Sequence, residues 1–123
     1  MKRKIALLIL CAPLLLAGCK TAAPTQPLAP GYANATDQQL GEILAASRVF
    51  YTSIQSQSAA GTMTLTATEK QAFNTFGVAL NAAESVYLTY HLNPSAANLT
   101  AAQTAVNGIQ TQQAALPLPT VTK

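Results

Sequence analysis

The sequence predicts an all-α fold, a small antiparallel three-helix bundle, and three observations carry that prediction. Apolar residues recur at steps of three and four along three separate stretches. Each stretch opens on a Thr or Ser able to cap a helix and closes on Gly or Pro. The connections between stretches are only a few residues long, which sets consecutive helices antiparallel.

The first helix is expected over about 37–59. Thr36, with Gln39 three residues on, reads as a capping box, and Asp37 places negative charge in the first turn. Leu40, Ile43, Ser47, Phe50 and Ile54 fall on one face, which Leu44 and Tyr51 widen, and Gly61 supplies the stop. TMTLT (62–66) then alternates polar and apolar residues as a strand does. A lone five-residue strand has no partner for its backbone groups, so a loop is expected, with Met63 and Leu65 tucked onto the bundle.

The second helix, 67–92, carries the strongest signal. Thr66 and Glu69 form a capping box, and Phe73, Phe76, Leu80, Ala83, Tyr87 and Tyr90 follow at three-four spacing. Asn93-Pro94 ends it, because Pro disfavours helical geometry in the residue before it. Ser95 caps a third helix, 95–115, faced by Leu99, Ala102, Val106, Ile109 and Leu116. Pro117 and Pro119 stop that helix, and the tail LPLPTVTK is expected to be extended and mobile. The domain, 36–116, is near the size at which one core yields only a few kcal/mol. Modest stability, or self-association over the weaker face of the third helix, is the expectation. Pairing between chains as a coiled coil is the rival, but seams of two or three heptads interrupted at Gly61 and Pro94 favour the single-chain bundle.

The residues ahead of this domain follow another logic. Lys2, Arg3 and Lys4 precede an apolar run, Ile5 to Leu16, too short for a bilayer span of about 20 residues. With the small residues Ala17 and Gly18 after it, this is the pattern of a secretory signal peptide, 1–18. Leu16-Ala17-Gly18-Cys19 resembles the lipobox of bacterial lipoproteins at every position. That resemblance implies signal-peptidase recognition of Leu16, Ala17 and Gly18, a diacylglyceryl thioether on Cys19, and fatty acylation, such as palmitate, of the new amino terminus. Two or three acyl chains hold a protein on a membrane almost permanently. Lys20 follows the cysteine where an Asp would signal inner-membrane retention, so the rule known for enteric-type lipoproteins implies the outer membrane.

Removing the signal peptide changes the charge. The formal charge of +3 falls to zero, because Lys20, Arg48, Lys70 and Lys123 balance Asp37, Glu42, Glu69 and Glu84. The basic character belongs to the discarded segment, and no nucleic-acid partner is expected. Cys11 leaves with the leader and Cys19 becomes a thioether, so no disulfide is expected. From Lys20 to Ala35 the chain reads KTAAPTQPLAPGYANA, with Pro24, Pro27 and Pro30 at every third position. Residues 19–35 thus form an acylated Cys and a Pro-rich tether biased to polyproline II. Sixteen such residues reach about 50 Å.

The inventory for catalysis is thin: one histidine, four scattered acids, and none of the metal, phosphate or nucleophile motifs. No enzyme activity, metal or cofactor is expected. His91, in the last turn of helix two, is read as interacting with helix-terminal carbonyls, its sharper alternative being a ligand or acid-base group. Tyr51, Tyr87 and Tyr90 are read as core residues with wet hydroxyls, their alternative being a groove for an aromatic or glycan ligand. Asn34-Ala35-Thr36 and Asn98-Leu99-Thr100 match a glycosylation acceptor pattern that the bacterial reading makes coincidental. The outer faces carry Gln, Thr, Ser and Asn in place of Glu and Lys, which suits crowded self-packing or a neutral partner. Lys123 ends the chain on an extended tail. In plan this is similar to the small murein lipoprotein, which implies peptidoglycan attachment through that lysine, although the aromatic-basic context before it is absent.

The sequence therefore points to a membrane-anchored envelope lipoprotein with a non-catalytic structural or protein-interaction role. Its rivals are a small-ligand or glycan binder and a lysis-associated small lipoprotein, the latter by analogy with entericidin-like proteins.

Overall fold

A computed structural model describes residues 28–117 and the backbone of 120 and 121. The residues read as signal peptide and lipobox, with Cys19, most of those read as tether, and Lys123 lie outside the described residues. Helices α1 (Ala35–Ala59), α2 (Ala67–Leu92) and α3 (Ala96–Ala115) pack as a compact up-down-up bundle. A short antiparallel pairing joins β1 (Met63–Thr64) to β2 (Thr120–Val121).

The helix ends follow from local chemistry, with one correction. The N-cap of α1 is Asn34, whose side-chain carbonyl accepts the Asp37 N–H at 2.9 Å, and not Thr36. Asn caps at least as well as Thr. Starting two residues earlier puts Asp37 in the third helical position, where its carboxylate reaches back to the Ala33 N–H at 2.9 Å. The other end of α1 is a Schellman motif: Gly61 (φ 71°) donates to Ser58, and Thr62 donates to Gln57. Thr66 and Glu69 cap α2 reciprocally, and Ser95 caps α3 by accepting the Asn98 N–H.

Leu40, Leu44, Phe76, Leu80, Ala83, Tyr90, Ala102, Val106 and Ile109 make the main core. A second cluster, Ile54, Met63 and Phe73, closes the end of the bundle where α1 turns into α2. Met63 is tucked there as expected, but its segment is not a plain loop. The chain beyond α3 returns and pairs Met63 with Val121 and Thr64 with Thr120. The partner that local reasoning could not find lies at the far end of the sequence, so the tail is engaged where a mobile one was expected.

Charges are largely settled within the fold. Arg48 on α1 binds Glu84 on α2 through two nitrogens, one at 2.9 Å, and also holds the Asn81 side-chain carbonyl. Helix α3 carries no ionisable side chain. Six threonines, among them Thr52, Thr75 and Thr104, turn their hydroxyls back onto carbonyls of their own helix.

Candidate functional site

The densest polar cluster sits where α1 begins and α2 ends. Antiparallel packing brings Asp37, in the first turn of α1, beside His91, in the last turn of α2. Asp37 is 1% exposed and faces the His91 Nδ1 at 2.8 and 3.0 Å from its two carboxylate oxygens. It also accepts the Ala33 N–H and the Tyr87 hydroxyl. Burial alone would raise its pKa, but these donors reverse that and hold the carboxyl below its ordinary range. Burial, with the hydrogen bond to Asp37, pushes the Tyr87 phenol far upward, so it remains a neutral donor.

Around this pair the segment before α1 is bound to the bundle. Ala29 donates to the Gln38 side chain at 3.1 Å, and Asn34 donates to the Tyr90 hydroxyl at 3.2 Å. The Tyr32 ring meets His91 edge-on, and the Tyr87 ring lies tilted against the imidazole, 5.8 Å between centroids. Residues 28–34, read from sequence as tether, are thus part of the folded body.

His91 therefore engages a carboxylate where helix-terminal carbonyls were expected. The carboxylate fixes a proton on Nδ1, because an unprotonated Nδ1 would set two acceptors against each other. That leaves Nε2 as the imidazole's second position, on a side chain 27% exposed. Among the described residues no group of three His, Cys, Asp or Glu could hold a metal ion.

The tyrosines divide. Tyr87 and Tyr90 belong to this cluster, with Tyr90 buried and occupied by Asn34. Tyr51 lies farther along α1, against Phe76 and the Arg48 guanidinium, and borders a separate shallow cleft with Ile54 and Phe73. The structure does not bring the three into one groove. Two glycines explain their placing: Tyr87 lies over Gly41 of α1, and Tyr51 lies over Gly77 of α2. The Tyr87 hydroxyl with the Tyr32 ring, and the Tyr51 ring, fill the space that a side chain at the facing glycine would need.

Sequence reasoning missed three members of the cluster. Asp37 was read only as a helix-dipole charge, Asn34 only within an acceptor pattern, and Tyr32 not at all. The signal available was register: Tyr51 follows Gly41 by ten residues, and Tyr87 follows Gly77 by ten. Pairing each glycine with the other helix's tyrosine sets α1 against α2 and places Asp37 opposite His91.

No family model matches the chain, and no curated protein or solved structure matches it either. Among the described residues no helix is long and apolar enough to cross a membrane.

Proposed function

We propose that the chain is a non-catalytic lipoprotein of the bacterial envelope, exported and held by lipid on Cys19 at the outer membrane. Its helical bundle acts through contacts with protein partners or further copies of itself. The observation that carries this reading is the unbroken order of basic head, short apolar run and Leu16-Ala17-Gly18-Cys19. The character of the site agrees with a non-catalytic role. Its carboxylate, imidazole and phenol are engaged with one another and with the backbone, fastening two helices and the incoming chain. The test is fractionation of the expressed full-length protein. Wild type is expected in the membrane fraction and Cys19→Ser in the soluble fraction or as uncleaved precursor. Equal membrane retention of a processed Cys19→Ser protein would overturn the reading.

A second reading is favoured by the disposition of the two chain ends. The tether enters beside His91, whereas β2, two residues from Lys123, pairs at the opposite end of α2. At 26 residues, α2 separates those ends by about 39 Å. A chain so arranged suits attachment to peptidoglycan through Lys123 while the lipid stays in the membrane. Muropeptide-bearing Lys123 peptides from digested sacculi would establish it, and only unmodified C-terminal peptide would exclude it.

A further inference from the structure

The end of the bundle that receives the tether also carries exposed leucines. Five large aliphatic side chains stand exposed among the described residues, and three of them are here: Leu28, Leu88 and Leu92, the last 80% exposed. Leu88 and Leu92 are one helical turn apart and so are neighbours. The other two, Val49 and Val78, lie within the bodies of α1 and α2. Beyond Leu92 the connection to α3 and its first residues, 93–97, are all exposed and none is ionisable. Of the titratable groups near this surface, Asp37 and His91 are committed to each other, Glu84, one turn before Leu88, to Arg48, and the exposed Glu42 to Gln38. Nothing charged would have to be stripped of water if 92–97 met an apolar phase.

We propose that this end of the bundle docks on the acyl surface of the bilayer through Leu28, Leu88 and Leu92. The inference rests on the lipid anchor argued above and deepens it. Because the chain is fastened to the bundle from Ala29 onward, only nine residues, 20–28, separate the lipidated position from that first contact. At the polyproline II rise, nine residues reach about 28 Å. The leucine-bearing end is thereby confined within reach of the membrane at a high effective concentration. A contact too weak to recruit a soluble protein is strong enough under that confinement. Burying one leucine fully is worth about 1.5–3 kcal/mol, so partial insertion of three gives a reversible dock and not a second anchor.

The chain has no tryptophan, so a single introduced one reports without background. The acylated full-length protein, carrying Leu92→Trp, Leu88→Trp or Ser56→Trp, is reconstituted on phosphatidylethanolamine–phosphatidylglycerol vesicles with or without brominated acyl chains. Circular dichroism checks that each variant is helical. Tryptophan at 88 and 92 is expected to shift to shorter wavelength and to be quenched by bromolipid, while tryptophan at exposed Ser56, near the other end of α1, is unshifted and unquenched. Co-flotation with all three unquenched would overturn the dock and leave the anchor standing. A shift at 92 without bromolipid quenching would assign the surface to a protein, including a second copy, and overturn the dock equally. Failure of every variant to float with vesicles would overturn the anchor and the dock with it.

Discussion

Asp37 is buried at a point where an unpartnered carboxylate would be costly, and three donors from three different places converge on it: the Ala33 backbone, the Tyr87 hydroxyl and the His91 ring. Replacing it removes one acceptor and strands all three donors. Asp37→Ala is expected to cost about 2–4 kcal/mol in urea unfolding, more than an exposed acid such as Glu42 would. The pH dependence has a definite sign. Because the folded carboxyl titrates below its ordinary 3.8, its stabilisation is complete above that value and is lost as pH falls through the lower, folded one. The melting temperature of the wild type is therefore expected to drop below about pH 4 and that of Asp37→Asn to drop less. Parallel acid profiles for the two would contradict this role.

At the scale of elements, the seam between α1 and α2 depends on what two glycines lack. A Cβ on Gly41 would stand 2.7 Å from the Tyr87 hydroxyl, and one on Gly77 would strike the Tyr51 ring. Alanine normally favours a helix over glycine by about 1 kcal/mol. Here the crowding should win, with Gly41→Ala and Gly77→Ala each destabilising by about 1–3 kcal/mol in thermal melts. Gly41→Ala also displaces Tyr87 from Asp37, so it alone should flatten the acid profile. At the start of α2, Thr66→Ala removes one half of a capping box and is expected to cost about 1 kcal/mol.

These elements show what sequence could reveal. The bounds of α2 and the stop of α1 were legible because capping and helix-breaking chemistry is local. The start of α1 was misplaced because Asn34 and Thr36 compete as caps, and the choice turned on whether Asp37 could reach Ala33. The core stripes were legible from periodicity. The Asp37–His91 pair was not, since it joins residues 54 positions apart through the packing of two helices. The β1–β2 pairing was hidden for the same reason, its partner coming from the other end of the chain.

For the whole molecule, stability rests on few large side chains. Phe76, Leu80, Val106 and Ile109 are almost wholly buried, and Ala83 and Ala102 beside them let the helices approach closely but bury little area each. Leu80→Ala is expected to cost about 2–5 kcal/mol, a large share of the stability of a domain this size. The surface contrasts with that dependence on a small core. With Arg48 held by Glu84 and Asp37 by His91, little net field remains to steer a charged partner or to repel a neighbouring copy. Such a surface leaves recognition of any partner to short-range contacts.

The most direct check is the intact mass of the protein purified from its native membrane. The account expects a chain beginning at Cys19, heavier than the bare 19–123 polypeptide by a diacylglyceryl group and an amide-linked fatty acid. A mass that retains residues 1–18, or one with an unmodified cysteine at the new terminus, would contradict it.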